Sequence, residues 1–254
     1  MEFGLVGKTL KHSFSQQYFT DKFARLGLPY SYKLIELENL DALPHLLASQ
    51  PNLLGLNVTI PYKEAILGYA TELSLGVQAA GAANTLVRLP QGGWGAYNTD
   101  TIGFTDALKE KLESLHWPMP QSAWVLGTGG ASKAVQVALG LLEIPYLVAG
   151  RTQGTDLQGK PVVGYKTLGS LPVASLWVNT TPVGQYPLVE NDLPLPYHLL
   201  GPENLVYDVV YNPAQTLFLQ KAAAQGAATL NGLPMLYGQA EAAWAIWHRY
   251  LPVV

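Results

Sequence analysis

One segment of the chain has the composition of a phosphate cradle. Gly127-Thr128-Gly129-Gly130-Ala131-Ser132 follows the apolar run Ala123–Leu126 and leads into a helical pattern from Ser132 to Leu142. Glycines let a backbone turn tightly and come close to a pyrophosphate, and the helix that follows offers N–H groups and the positive end of its dipole. The motif is G-x-G-G-x-S, because serine occupies position 132. An ordinary glycine-rich turn between a strand and a helix is the bland alternative. An NAD-selective site usually carries Asp or Glu about 20 residues further on. Here Gly150 stands 21 residues past Gly129, and Arg151-Thr152 follow it. A guanidinium without a carboxylate suits a 2′-phosphate, which favours NADP.

A second set of polar residues lies in the first hundred positions. Ser13 and Ser15 put two hydroxyls on one side of an extended turn. Thr59 ends an apolar run and Lys63 follows four residues later. Gly81–Thr85 reads as a small-residue turn bearing the amide of Asn84, and Tyr97-Asn98-Thr99 leads to the carboxylate of Asp100. Each has a plain structural reading as a cap, a strand end or a turn, and Ser15 is expected to cap a helix N-terminus.

The elements that must hold these residues alternate along the chain. Phe3–Gly7, Tyr32–Leu37 and Leu53–Thr59 read as strands. Phe19, Phe23 and Leu26 share one helical face that Gly27 can end, and Pro61 is expected to open a helix over Tyr62–Tyr69. Further apolar runs at Ala123–Leu126, Tyr146–Ala149, Leu176–Val178 and Leu205–Tyr207 have the serial layout of a doubly wound nucleotide-binding domain. Gly184–Glu203 reads as a surface loop with a short helical turn at most. The last helix is predicted over Pro234–His248, with Leu236, Ala240, Ala243, Trp244 and Trp247 on its apolar face. The pattern predicts an α/β fold, with a domain boundary just after Asp100 and a return to the first domain near Gly232.

Composition narrows the function classes. The 254 residues carry 15 Lys+Arg against 18 Asp+Glu, a net charge of −3, which argues against a nucleic-acid partner. No cysteine is present, which excludes disulfides and thiol chemistry. The five histidines lack metal-ligand spacing, so no metal site is expected. No apolar run reaches the length of a membrane span. The N-terminus lacks a signal layout, and a soluble cytoplasmic protein without a membrane partner is expected.

The ordered motifs GKTLKHSFS, NVTIPYK, GAANTL, NTDTIGF, GTGGASKAV, GRT, NTTPVG, DVVYNP and GLPMLYGQA cover the chain nearly end to end. In that order and spacing the chain resembles the shikimate dehydrogenase family. The resemblance implies a mixed, mostly parallel α/β substrate-binding domain at residues 1–100 plus 232–254. It implies a Rossmann-like, doubly wound NADP-binding domain at 101–231. The implied reaction is the reversible NADPH-dependent reduction of 3-dehydroshikimate to shikimate, in the chorismate route to aromatic amino acids, by a monomer or homodimer acting on a small molecule.

Carried over position by position, the family's catalytic pair falls on Lys63 and Asp100, and its carboxylate-binding hydroxyls fall on Ser13 and Ser15. Thr59, Asn84, Tyr211 and Gln239 match further substrate contacts. Gly127, Thr128, Gly129, Gly130, Ala131, Arg151, Thr152, Val209 and Gly232 match cofactor contacts, and Met235 is expected near the nicotinamide. Three departures stand out. Gln16 replaces the usual proline after the second serine. Thr101 replaces glycine after the aspartate. Gly150-Arg151-Thr152 replaces Asn-Arg-Thr, without a second arginine a few residues on. The last departure thins the 2′-phosphate clamp and keeps open a quinate/shikimate dehydrogenase with relaxed NAD or NADP use. A non-catalytic nucleotide-binding redox sensor is the alternative from another class; it has no need of both Lys63 and Asp100.

Overall fold

The computed structural model describes residues 1–10 and 13–251. Lys11 and His12, inside the first motif, lie outside the described residues. Backbone contacts divide the chain into two compact units, Met1–Thr99 with the C-terminal segment from Ala240, and Asp100–Gln239.

The first unit opens with β1 (Glu2–Gly7), α1 (Phe14–Arg25), β2 (Ser31–Glu36), α2 (Leu43–Ser49) and β3 (Leu53–Val58). It continues with a 3-10 helix (Ala65–Tyr69), β4 (Glu72–Leu73), α3 (Leu75–Ala80), β5 (Thr85–Arg88) and β6 (Trp94–Tyr97). The sheet order is β2-β1-β3-β5-β6-β4. β1 runs parallel to β2 and β3, whereas β5 is antiparallel to both β3 and β6, so the sheet is mixed. Successive strand residues alternate between faces. Phe3, Leu5 and Val87 therefore join a core with Phe19, Phe23 and Trp247. Val6, Leu86 and Ala96 join a second core with Leu43, Leu56 and Ile66 on the other face. α1 ends as its sequence suggests, with Gly27 in the left-handed region at φ +65°.

The second unit holds α4 (Asp100–Leu115), β7 (Ala123–Leu126), α5 (Gly130–Leu141), β8 (Tyr146–Gly150), β9 (Val163–Gly164) and β10 (Leu176–Asn179). It is completed by β11 (Leu205–Asp208), α6 (Leu217–Ala224), β12 (Ala228–Leu230) and the start of α7 (Leu233–Arg249). Its strands run β12-β11-β10-β7-β8-β9, all parallel. Alternation again feeds two cores. Val125, Val178 and Tyr207 face Phe104, Val135 and Leu139. Trp124, Trp177 and Val206 face Leu168, Phe218 and Leu219. The strand order reverses at β7, which places a topological switch point at the C-terminal ends of β7 and β10.

Three expectations need revision. Ser15 does not cap α1: the capping position is Ser13, without a side-chain cap bond, and Ser15 lies inside the first turn. Pro61 does not open an α-helix. The Ile60–Pro61 peptide is cis, the chain turns through Lys63, and only the 3-10 helix over Ala65–Tyr69 follows. Gly81–Thr85 is not a turn throughout, since Thr85 begins the β5–β6 hairpin. Backbone contacts divide the chain at Thr99/Asp100 and at Gln239/Ala240. Asp100 is the first residue of α4, and Met235 packs into the second unit's core. A side chain at Gly103 of α4 would sit 2.5 Å from the Met235 carbonyl, so α4 and the start of α7 touch backbone to backbone. The loop over 184–203 carries one three-residue 3-10 helix, Tyr197–Leu199.

Candidate active site

In the first unit the predicted substrate residues gather where β1 and β3 end and β5 begins. Gly7 closes β1, and a Cβ there would lie 2.7 Å from Thr59 Cγ2, so a side chain at 7 would displace Thr59. Thr59 is fixed by its N–H, which donates to the Val6 carbonyl at 2.9 Å. Lys63 is half-buried, and its carbonyl accepts from the Ala83 N–H at 2.7 Å, which ties the lysine turn to the segment before Asn84.

Asn84 is buried and clamps the chain that follows β6. Its Nδ2 donates to Thr99 Oγ1 at 3.0 Å and its Oδ1 accepts the Thr99 N–H at 2.7 Å. Thr99 directly precedes Asp100, so the amide of Asn84 determines where the chain leaves the first unit. Asn57 continues the network. Its Nδ2 donates to Thr85 Oγ1 at 3.2 Å, and its Oδ1 accepts the Tyr32 phenol at 2.7 Å. Burial pushes the Tyr32 phenol far above the usual range, and the nearby Ser15 hydroxyl offsets only part of that rise. The phenol therefore stays neutral and keeps its proton for Asn57. The Ser13 Oγ is buried with no hydrogen-bond partner among the described residues, as is Asn98 Oδ1. A buried hydroxyl without a partner carries a desolvation cost that a polar ligand can relieve.

Tyr32, Asn57, Thr85 and Thr99 are the residues that sequence reasoning missed here. The available signal was weak: Asn57 is a polar residue inside the otherwise apolar run Leu53–Val58.

In the second unit the glycine turn lies at the switch point, between β7 and α5. Gly127 has φ +116°, and a Cβ there would lie 2.7 Å from Thr180 Oγ1, so neither conformation nor space admits a side chain. A Cβ at Gly129 would meet nothing within 4 Å, which leaves that backbone open. Gly129 is the N-cap of α5 and, being glycine, brings no side chain to cap the helix. A helix N-terminus that opens on glycine beside an open glycine turn suits a pyrophosphate. Thr128 is exposed, while Gly130 and Ala131 are half-buried at the start of α5. Ser132 faces inward and donates to the Gly127 carbonyl at 2.7 Å.

β8 ends at Gly150, and Arg151 and Thr152 are both exposed beyond it. Burial raises the pKa of the Tyr165 phenol and the charge of Arg151 offsets part of that rise. At the end of β11, Val209 packs so closely on Gly232 that a Cβ at 232 would lie 2.0 Å from the Val209 carbonyl. Tyr211 is half-buried, and burial raises its phenol pKa.

Asp208, also at this strand end, is buried. Its carboxylate accepts from Asn179 Nδ2 at 2.9 Å, from the Val210 N–H at 3.0 Å and from Thr216 Oγ1 at 2.5 Å. Burial outweighs these bonds and raises its pKa to about 6.

Three predicted residues sit on the helices that begin and end the unit. Asp100 is 7% exposed at the start of α4. Met235, also 7% exposed, lies in the apolar core with Phe104 and Leu108, a packing position rather than an open one. Gln239 donates from Nε2 to the Leu236 carbonyl at 2.9 Å. Among the described residues no cluster of three or more His, Asp or Glu could hold a metal ion, and no helix is long and apolar enough to cross a membrane.

A doubly wound parallel sheet with a glycine turn at its switch point defines the class of dinucleotide-binding α/β proteins. Residues 5–86 match the family model described as shikimate dehydrogenase substrate binding domain. The shikimate dehydrogenase (NADP(+)) of Desulforamulus reducens is 34% identical over 261 residues, covering 96% of this chain and 88% of the relative. The structure of shikimate 5-dehydrogenase from Thermus thermophilus in complex with NADP(H) and shikimate superimposes with a TM-score of 0.85. It shares 34% identity, over 100% of this chain and 95% of that one. The shikimate 5-dehydrogenase of Listeria monocytogenes, solved with shikimate and NAD, gives a TM-score of 0.81. Its identity is 29%, over 99% of this chain and 93% of that one. The chain belongs to the shikimate dehydrogenase family.

Proposed function

We propose that the protein is an NADP-dependent oxidoreductase that reversibly reduces 3-dehydroshikimate to shikimate. The observation that carries this reading is the likeness, over nearly the whole chain, to relatives named for that activity and solved with those ligands. The glycine turn at the N-terminus of α5 and the exposed Arg151 support the cofactor assignment.

When bound, the dinucleotide supplies the hydride that reaches the carbonyl carbon. The chain's own residues then have three tasks. Lys63 carries the proton that the carbonyl oxygen takes up as negative charge develops on it, and in the reverse direction its amine accepts that proton. Asp100 accepts a hydrogen bond from a ring hydroxyl and keeps an anionic group at the reacting edge. Ser13 and Ser15, with Tyr211, donate to the ring carboxylate, while Thr59, Asn84 and Gln239 bind ring hydroxyls. Lys63 and Asp100 aside, these groups are neutral, so the carboxylate is held mostly by hydrogen bonds without a guanidinium partner. The protein acts on small molecules in the cytoplasm, as a monomer or homodimer, without nucleic-acid or membrane partners.

Relaxed cofactor use is the second reading, favoured by one specific observation: Arg151 is the only cation between Gly150 and Gly159. Absorbance at the reduced-nicotinamide band tests both readings. Shikimate with NADP is expected to give reduced cofactor, with a smaller rate for NAD. No shikimate-dependent signal with either cofactor refutes the assignment, and an equal or larger rate with quinate selects the broader activity.

A further inference from the structure

We infer that Gln136 sets selectivity for the cofactor's 2′-phosphate, by pinning the hairpin that follows Arg151 onto α5; this rests on the NADP reading above. Gln136 is 4% exposed, one helical turn past Ser132. Its Nε2 donates to Ser132 Oγ at 3.0 Å, and Ser132 Oγ donates to the Gly127 carbonyl at 2.7 Å. Its Oε1 accepts the N–H of Leu157 at 2.9 Å. One buried chain of hydrogen bonds therefore runs from the first glycine of the phosphate turn to the tip of an exposed loop.

That loop is itself a folded hairpin. The Asp156 N–H donates to the Lys160 carbonyl at 2.8 Å and the Val162 N–H to the Gly154 carbonyl at 2.9 Å. The Asp156 carboxylate accepts from the N–H groups of Gln158 and Lys160 at 2.9 and 2.8 Å. On its other side the loop is closed by the ladder pairing Gly150 with Gly164. Arg151-Thr152-Gln153 is left as a three-residue arm between two anchored ends. An arm held at both ends has lost its backbone freedom before any ligand arrives, so the guanidinium engages a phosphate at lower entropic cost. A chain with one arginine in this loop depends on that ordering more than one with several. Gln136 makes both of its bonds inside the protein and acts through Arg151, so it is a positioning residue.

The test compares binding of 2′,5′-ADP and 5′-AMP by calorimetry in the unaltered protein, Gln136→Leu and Asp156→Ala. The second variant loosens the same hairpin from a half-exposed position and serves if Gln136→Leu does not fold. The expected result is a loss of about five- to twenty-fold in 2′,5′-ADP affinity with less than about two-fold for 5′-AMP, the scale of one or two buried hydrogen bonds. The KM for NADP should follow 2′,5′-ADP, while the KM for shikimate and kcat stay unchanged. On an Arg151→Ala background, Gln136→Leu should add nothing further. Equal weakening of both nucleotides, no change in either variant, or a full additional loss on the Arg151→Ala background overturns the inference. An unaltered protein that binds 5′-AMP as tightly as 2′,5′-ADP overturns the NADP reading and the inference with it. Selective binding of 2′,5′-ADP that survives both variants overturns the inference alone.

Discussion

Replacing Asp208 with asparagine should change how stability depends on pH. The carboxylate is buried at the end of β11, and burial raises its pKa from 3.8 to about 6. Between those two values the folded protein holds a proton that the unfolded chain has released. Stability is therefore fully present below about pH 3.8 and is lost as pH rises to about 6. At about 1.36 kcal/mol per pH unit the gap corresponds to about 3 kcal/mol. Asparagine removes the titration and keeps most of the bonding. Its Oδ1 can still accept from Asn179 and Val210, and its Nδ2 can donate to Thr216 Oγ1. The Thr216 hydroxyl proton loses its acceptor, a pH-independent cost of about 1 kcal/mol.

The assay is urea unfolding of both proteins from pH 4 to pH 8, read as the difference between them, so that other carboxylates cancel. Asp208→Asn should start slightly less stable at the acid end. It should gain up to about 3 kcal/mol relative to the parent by pH 7, with the change completed near pH 6. A difference that stays flat with pH refutes the reasoning. A variant that loses ground as pH rises would mean that the charged form of Asp208 is the stabilising one.

The other predictions concern the site. Lys63→Ala should cut turnover by about 10²–10⁴-fold while shikimate affinity is largely kept, because the proton is delivered in the transition state; steady-state kinetics with near-normal kcat would remove Lys63 from the mechanism. Ser13→Ala should leave the stability of the ligand-free protein unchanged or slightly higher, since its Oγ has no partner among the described residues, yet weaken shikimate binding by about 1–2 kcal/mol. Calorimetry showing intact affinity would make the buried hydroxyl irrelevant to substrate. Tyr32→Phe keeps the ring stacked on Phe19 at 4.7 Å but strips the phenol donor from Asn57 Oδ1. It should lower unfolding free energy by about 1–3 kcal/mol and raise the KM for shikimate while sparing that for NADP. An unchanged denaturation midpoint would show the network to be idle.

Much of the second unit was legible in residue order. Its parallel strands are short apolar runs whose alternate residues feed cores on both faces, as Val125 and Trp124 do in β7. The glycine turn also declares itself, because Gly127 adopts a φ of +116° that other residues rarely take. Local signals hold more than a boundary at Asp100: Phe104, Ala107, Leu108 and Leu112 trace one buried face of α4.

What the sequence could not determine were the relationships between distant positions. Whether Ser13 or Ser15 caps α1 depends on where the chain enters the helix, and both residues are equally suitable by type. Tyr32 reaches Asn57 across 25 positions, and Gln136 reaches Leu157 across 21. Taken alone, each of these side chains is an ordinary polar residue. The tertiary structure decides which of them meet, because only folding removes the competing water and makes a buried donor without an acceptor costly.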